Sequence, residues 1–159
     1  MRHGTFKVAM DLHPDLTELL TELGASGAEY LVVGGWAVGV HSEPRYTKDL
    51  DLLIGTASEN LERVVRALEA YGAPPGLIQD VRSMKANEFV FFGTPPARVD
   101  LLGEIPGVTF PDAWMKRETI QWNGTSVHII SRDDLIAAKK AAGRQKDLDD
   151  VKRLEKFSK

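Results

Sequence analysis

The segment 30–55 constrains the fold of this chain more than any other part of its sequence. It opens with an apolar run, Tyr30 to Val33, whose β-branched and aromatic side chains favour a strand. Gly34 and Gly35 end that run, and a short helix is predicted directly after them. A charged turn then leads into a second apolar run, Leu50 to Ile54, so the segment is predicted to form strand, helix and strand.

Two acids belong to the second apolar run: Asp49 directly precedes it and Asp51 interrupts it. Side chains at positions i and i+2 of a strand point to the same face, so these two carboxylates are expected side by side. Neighbouring carboxylates repel and raise each other's pKa unless a cation lies between them. Because Mg2+ prefers hard oxygen ligands, the pair predicts a divalent metal site.

A third acid, Asp100, lies in another apolar run, 98–102, and would join the first two if the strands were neighbours. Carboxylates around one or two metal ions activate an attacking oxygen and stabilise a leaving oxygen in nucleotidyl transfer. Gly34 and Gly35 let backbone N–H groups approach phosphate, because glycine leaves room and a helix N-terminus favours negative charge. A phosphate cradle beside metal-binding acids is what a nucleoside triphosphate requires.

The composition of the chain excludes several classes of protein and of chemical site. The chain has 159 residues and a net charge of -3, which argues against a general nucleic-acid coat protein. It contains no cysteine, so disulfides, a thiol nucleophile and cysteine-ligated zinc are excluded. The apolar runs are too short to span a bilayer and the N-terminus lacks a signal-peptide pattern, so a cytoplasmic protein without membrane contact is expected.

The remaining periodicity predicts both helices and strands. Helices are expected at 12–24, at 59–71 with Thr56 or Ser58 as cap and Gly72 as stop, at 111–115, at 131–142 and at 145–157. Strands are expected at 77–81 after a Pro-Pro-Gly turn, at 88–92, at 98–102, and at 119–122 and 125–130 around Asn123-Gly124. These patterns predict an α/β (α+β) fold with a mixed β-sheet flanked by helices. They also predict one domain, 1–159, with its core at 28–130 and a C-terminal helical pair at 131–157.

Together these motifs resemble the nucleotidyltransferase superfamily of DNA polymerase beta, whose pattern is Gly-Gly or Gly-Ser, a short spacer, Asp-x-Asp and a later third acid. The text Gly-Gly-Trp-Ala at 34–37 is similar to that of aminoglycoside and lincosamide adenylyltransferases. The C-terminal run 134–150 is instead similar to a small bacterial branch allied to AbiEii-type toxins and minimal nucleotidyltransferases. The resemblance covers about residues 30–154 and favours this second branch.

The resemblance implies roles for the candidate site residues. Asp49 and Asp51 would hold Mg2+ (alternatively Mn2+) and the triphosphate, and Asp100 would complete the metal site and help to activate the acceptor hydroxyl. Positive charge near the triphosphate would stabilise the transition state. The implied catalytic residues are Asp49, Asp51, Asp100 and Lys139, and the nucleotide-binding candidates are Gly34, Gly35, Arg45, Thr47, Lys48 and Arg144.

Structural roles are the alternative for several charged and aromatic residues. Lys139 is equally consistent with an ion pair to Asp147 or Asp150 on the next predicted helix. A structural role is the favoured interpretation for Lys146 on a solvated helix face, for Trp36 in the core, and for His41 and His128.

The predicted function is therefore Mg2+-dependent transfer of a nucleoside monophosphate from a nucleoside triphosphate to a hydroxyl, with release of pyrophosphate. A protein side chain, a tRNA end and a small molecule are the expected acceptors. The alternatives are an aminoglycoside- or lincosamide-type adenylyltransferase and a catalytically silent nucleotide-binding antitoxin or regulatory module. Because many members of both branches carry a further acceptor-binding domain, a homodimer or a protein partner is expected to complete the site.

Overall fold

The computed structural model of the protein describes residues 12–44, Thr47 and residues 49–157. In this part of the chain, six strands and seven helices form a mixed α/β fold, which confirms the predicted fold class. The helices are α1 (Pro14–Ala25), α2 (Gly34–His41), α3 (Ser58–Tyr71), α4 (Pro75–Arg82), α5 (Phe110–Met115), α6 (Arg132–Ala142) and α7 (Gln145–Lys156). The strands are β1 (Tyr30–Val33), β2 (Asp49–Ile54), β3 (Phe89–Phe92), β4 (Arg98–Leu102), β5 (Glu118–Trp122) and β6 (Thr125–Ile129).

The six strands form one sheet in the order β3-β4-β2-β1-β6-β5. The pairings of β2 with β4 and of β1 with β6 are parallel, and the other three are antiparallel. β1 is buried along its whole length, and β2 is buried except at its two acids. Asp49 and Asp51 therefore lie in a central part of the sheet with little access to water.

Helices cover the sheet and close the core. The apolar stripe of α1 is buried against α3, and α4 packs on α3 in turn. Helix α2, which follows β1, contacts β2, α6 and α7. Trp36 of α2 packs edge-on against Trp122, with ring centroids 5.1 Å apart, so the tryptophan after the glycines is a core residue. Within the described residues, no helix combines the length and the apolar character needed to cross a bilayer.

One predicted strand is wrong, because residues 77–81 form most of α4 instead. Pro75 occupies the first turn of this helix, where its fixed φ suits the helix and its missing N–H removes no hydrogen bond. Ile78 and Val81 are buried three residues apart, which is helical spacing. The Pro-Pro-Gly sequence therefore starts a helix here rather than forming an isolated turn before a strand.

The starts of two helices also differ from prediction. The N-cap of α3 is Ala57, which has no side chain able to cap, rather than Thr56 or Ser58. The end of α3 is as predicted, because Gly72 adopts a left-handed conformation with φ 94° and closes the helix. α2 begins at Gly34 itself, so the two glycines lie inside its first turn instead of preceding it.

Candidate active site

The parallel pairing of β2 with β4 brings the predicted carboxylates together. Asp51 lies in register with Asp100, and Asp49 lies in register with Arg98. Paired residues of neighbouring strands project to the same face, so all four side chains share one side of the sheet. The condition that the strand of Asp100 must adjoin that of Asp51 is thus met, while the role of these acids in binding metal stays a prediction.

The environment of Asp51 makes its ionised form costly. Burial raises the pKa of Asp51 to about 7, and the charge of Asp100, a hydrogen bond between the two carboxyl groups and the charge of Asp49 act in the same direction. The positive charge of Lys139 opposes them and lowers the pKa. Two carboxyl groups that share a hydrogen bond are a place where a cation would replace a proton.

Gly34 lies directly against Asp51 of this carboxyl pair. Its φ is 68°, in the left-handed region that glycine adopts without a steric penalty. A Cβ atom at this position would overlap the Oδ2 atom of Asp51 and come within 3.0 Å of its Cγ atom. The backbone at the start of α2 therefore approaches Asp51 more closely than any other residue type would permit, and the first N–H groups of a helix lack intrahelical partners.

Arg98 is a neighbour of the site that the sequence patterns did not single out. Its Nε atom donates a 2.9 Å hydrogen bond to the Oδ1 atom of Asp100, and both side chains are partly buried. The two residues are separated by two positions in one strand, a spacing that places side chains on the same face. That spacing was available as a signal, but nothing in the sequence showed that Asp100 would need a counter-charge.

Lys139 and Arg144 bind the same acid on α7. The Nζ atom of Lys139, whose side chain is 16% exposed, lies 3.0 Å from Asp150 and 3.5 Å from Asp147. The Nε atom of Arg144 lies 2.7 Å from Asp147, and this hydrogen bond holds the pKa of Asp147 below its ordinary value. The ion-pair alternative for Lys139 is therefore realised, although the lysine is buried rather than solvated and stays close enough to influence Asp51.

The turn before β2 is described only at Thr47. The Oγ1 atom of Thr47 is buried and finds no hydrogen-bond partner among the described residues. A buried hydroxyl without a partner is unfavourable, so this atom is suited to meet a ligand. Arg45 and Lys48, the other two predicted phosphate contacts of this turn, lie outside the described residues.

The two histidines have packing roles. His41 donates a 2.8 Å hydrogen bond from Nε2 to the carbonyl oxygen of Ile130, and burial lowers its pKa. His128 packs edge-on against Trp114, with ring centroids 5.2 Å apart, and burial also lowers its pKa. Both rings are thus held by contacts within the fold.

The donor set fits a metal that is shared with a substrate. In the described part of the chain, no three His, Asp or Glu side chains converge as a complete metal cage. Mg2+ is usually held by one or two carboxylates together with substrate phosphates and water, rather than by a cage of protein ligands. Asp51 and Asp100 supply such a pair, and the Asp49 charge acts on the same site.

Comparisons with known proteins identify the family. Residues 10–157 match the family described as "Nucleotidyltransferase of unknown function (DUF6036)". No curated protein matches the chain. The structure of the lincosamide antibiotic adenylyltransferase LnuA, bound to lincomycin, is similar in fold, with a TM-score of 0.54 and 14% sequence identity. That similarity covers 93% of this chain and 99% of LnuA.

A second similar structure is that of an antigenic nucleotidyltransferase-like protein from Paracoccidioides brasiliensis. It has a TM-score of 0.48 and 17% sequence identity, over 93% of this chain and 78% of that protein. The narrower likeness to AbiEii-type toxins stays a prediction. Since the family match covers nearly the whole chain, the protein belongs to the DUF6036 family and is a nucleotidyltransferase.

Proposed function

We propose that this nucleotidyltransferase moves a nucleoside monophosphate from a nucleoside triphosphate to a hydroxyl group, releases pyrophosphate and requires Mg2+. The observation that carries the proposal is the hydrogen bond between Asp51 and Asp100, two partly buried carboxyl groups on paired parallel strands, with Gly34 directly against Asp51. Asp51 has no cationic hydrogen-bond partner among the described residues, and its raised pKa makes a bound cation favourable there.

The triphosphate is proposed to bind at the start of α2. Gly34 brings the backbone against Asp51, and the N-terminal N–H groups of the helix favour an anion. Thr47 adds a buried hydroxyl that lacks a partner in the described part of the chain. Lys139, on α6, contributes positive charge, since it already lowers the pKa of Asp51. Arg45, Lys48 and Arg144 stay predicted contacts of the nucleotide.

The three carboxylates are proposed to bind the metal ion and the acceptor hydroxyl. Asp49, Asp51 and Asp100 would hold Mg2+, which neutralises the phosphate oxygens and favours ionisation of the attacking hydroxyl. Asp100 lies on the side of the pair away from Gly34, so it is the carboxylate placed to accept a hydrogen bond from the acceptor hydroxyl. Arg98 holds Asp100 in place through its hydrogen bond to Oδ1.

Isothermal titration with Mg2+ and each of the four ribonucleoside triphosphates, ATP first, tests this proposal. We expect metal-dependent binding by the wild type and none by Asp49→Asn/Asp51→Asn, because the variant keeps the shape of the side chains but loses two charges. The control is Asp80→Asn/Asp112→Asn, which makes the same change of charge at two exposed positions and should bind like the wild type.

Each other outcome has a defined meaning. Equal binding by Asp49→Asn/Asp51→Asn and the wild type would contradict the proposed site. Nucleotide binding without pyrophosphate release, with protein, tRNA and small-molecule acceptors all present, would favour a silent antitoxin or regulatory module. Release that begins only when a protein partner is added, or only in a homodimer, would show that another chain completes the site.

A second candidate function is adenylyl transfer to an aminoglycoside or a lincosamide. The Gly-Gly-Trp-Ala text at 34–37 favours it, and LnuA, a lincosamide antibiotic adenylyltransferase, shares the fold. A panel of such antibiotics, with ATP and Mg2+, tests it by mass spectrometry of the products. Failure across the panel by protein that binds ATP would leave only the general proposal.

A further inference from the structure

Two phenylalanines on the edge strand β3 face solvent beside the candidate site. Phe89 is 60% exposed and Phe91 is 53% exposed, and their rings stack with centroids 6.4 Å apart. Phe92, the next residue of the strand, points to the other face of the sheet and packs edge-on against Tyr71. The strand thus buries one set of apolar side chains and presents two aromatic rings, the Phe89–Phe91 pair, to the outside.

The register of the sheet places this pair next to the carboxylates. Phe91 lies opposite Asp100, and Asp100 lies opposite Asp51, so the three side chains form a row across β3, β4 and β2 on one face. Neighbouring strands are about 4.8 Å apart, which puts the Phe91 ring within reach of a group bound at Asp100. The pair is therefore continuous with the candidate site.

Arg98 joins the two regions. Its guanidinium carbon lies 4.2 Å from the centre of the Phe91 ring, while its Nε atom binds Asp100. A cation over the face of a ring is a favourable contact and holds the ring in a defined orientation. The exposed rings are thus tied to the carboxyl group placed to meet the acceptor.

The order of the strands separates this pair from the phosphate side. Gly34 follows β1, whose last residue, Val33, is paired with Asp51 on the edge away from β4. The triphosphate side and the Phe89–Phe91 pair therefore lie on opposite sides of the carboxylates. A second substrate that attacks from the side opposite the leaving pyrophosphate would arrive over β4 and β3.

We propose that Phe89 and Phe91 form the acceptor subsite and select an acceptor whose reactive hydroxyl is carried on, or next to, an aromatic ring. The acceptor ring packs against the exposed part of Phe91 that Arg98 and Phe89 leave free, and its hydroxyl reaches Asp100. This inference rests on the proposed function, because it assigns the second substrate of that same reaction.

The transfer balances in atoms and charge. The acceptor oxygen forms a bond to the α-phosphorus of the nucleoside triphosphate, and the bond from that phosphorus to the bridging oxygen of pyrophosphate breaks. The electron pair of the broken bond leaves with pyrophosphate. The proton of the hydroxyl passes to Asp100, which accepts its hydrogen bond, and from there to water.

A matched pair of acceptors tests the inference. Tyramine carries a phenolic hydroxyl, and 4-(2-aminoethyl)cyclohexanol carries a hydroxyl at the same position of a saturated ring with the same amine. The wild type is first assayed with nucleoside triphosphate and Mg2+ alone, with release of pyrophosphate to water as the readout. Transfer to each acceptor is then measured as kcat/KM by mass spectrometry.

We expect the wild type to prefer tyramine by about tenfold or more, which is the size of a good aromatic stacking contact. Phe91→Leu should remove most of this preference and leave the KM of the nucleotide unchanged, because the substitution keeps an apolar side chain but loses the flat ring. Phe91→Trp should keep the preference. Thermal unfolding of each variant checks that the fold is intact.

Four results would overturn the inference. Equal kcat/KM for the two acceptors, or transfer to neither by protein that releases pyrophosphate, would show that the rings do not select the acceptor. A raised nucleotide KM in Phe91→Leu would assign the ring to the nucleobase. A wild-type dimer that Phe91→Leu dissociates would assign the pair to a second copy of the chain. Absence of metal-dependent nucleotide binding by the wild type would instead refute the proposed function itself.

Discussion

Gly34 shows how one residue position sets the geometry of the site. Its positive φ and its contact with Asp51 each exclude a side chain. Gly27 has a similar φ, 73°, but no atom of the described residues lies within 4 Å of where its Cβ would be. The two glycines therefore separate the cost of the backbone conformation from the cost of the contact.

We expect Gly27→Ala to lower the free energy of unfolding by about 1–2 kcal/mol, the penalty for a left-handed alanine. Gly34→Ala should lower it by more, and should also abolish nucleotide binding, because the new methyl group displaces Asp51. Urea unfolding and nucleotide titration of both variants measure the difference. Equal losses of stability in the two variants would show that the contact is relieved by small movements.

Asp51 makes the stability of the metal-free protein depend on pH. Its pKa is about 7 in the folded state against an ordinary value of 3.8, so the folded protein holds a proton that the unfolded chain has lost between these values. Stability therefore falls as pH rises through this window and changes no further above it, by up to about 4 kcal/mol.

Asp51→Asn removes this dependence, because its side chain does not titrate. We expect the variant to be more stable than the wild type at pH 8 and the difference to shrink towards pH 4, as measured by urea unfolding in EDTA. Mg2+ should restore stability to the wild type at pH 8 and leave Asp51→Asn little changed. Parallel pH profiles for the two proteins would contradict the assigned pKa.

At the scale of elements, α3 is fixed to the sheet by one buried amide. Asn60 accepts a 2.7 Å hydrogen bond from the Glu29 N–H and donates to the carbonyl oxygens of Glu29 and Gly55, at 2.9 Å and 2.8 Å. These two residues flank β1 and β2, so the amide holds the start of one strand and the end of the other. It also anchors the first turn of α3, which has no capping side chain.

We expect Asn60→Ala to lower the free energy of unfolding by about 3 kcal/mol, because it leaves buried backbone groups without their partners. Asn87→Ala, at an exposed turn, should change it by less than about 0.5 kcal/mol. Urea unfolding of the two variants gives the comparison. A loss at Asn60 no larger than that at Asn87 would mean that water replaces the amide.

The sequence patterns were informative where local chemistry determines the element. The β5–β6 hairpin follows from Asn123-Gly124, where both residues adopt positive φ, and β1 follows from its apolar run. The 77–81 segment was assigned to the wrong class because short apolar runs fit both a strand and a helix. The deciding contact is the packing of α4 on the preceding helix α3, a tertiary contact that the apolar run by itself does not display.

The same distinction applies to the candidate site. Asp49, Asp51 and Asp100 were predictable because acids inside apolar runs stand out in any sequence. Arg98 and Phe91 were not, since their importance follows from the register of β4 with its two neighbours. Register depends on the packing of both faces of the sheet, which a single sequence does not display.

At the scale of the whole molecule, the C-terminal helices bring positive charge to the sheet. Lys139 on α6 lies between Asp147 and Asp150 of α7 and also lowers the pKa of Asp51. The pairing of the two helices and the electrostatics of the carboxylates therefore depend on one ammonium group. Removing it should affect both.

We expect Lys139→Met to lower the free energy of unfolding by about 3 kcal/mol, the lower end of the penalty for breaking a buried ion pair, since Arg144 still binds Asp147. It should also extend the pH dependence attributed to Asp51 to higher pH, because the pKa of Asp51 in the folded state rises without the ammonium group. The control is Lys140→Met, whose ion pair with Glu155 is exposed, so a loss under about 1 kcal/mol is expected. Similar losses in both variants, by urea unfolding, would contradict a buried pair.

Side chains alternate between the two faces of β4, and this links the packing of the core to the position of Asp100. A slip of β4 by one residue along β2 would turn Asp100 to the opposite face and bring Val99 and Leu101, now fully buried, out of the core. Each newly exposed side chain would lower the stability of the fold by roughly 1.5–3 kcal/mol, so the shifted register is disfavoured. Selection for a well-packed interior therefore also preserves the alignment of the proposed catalytic acids, and a lineage that keeps this core keeps their register.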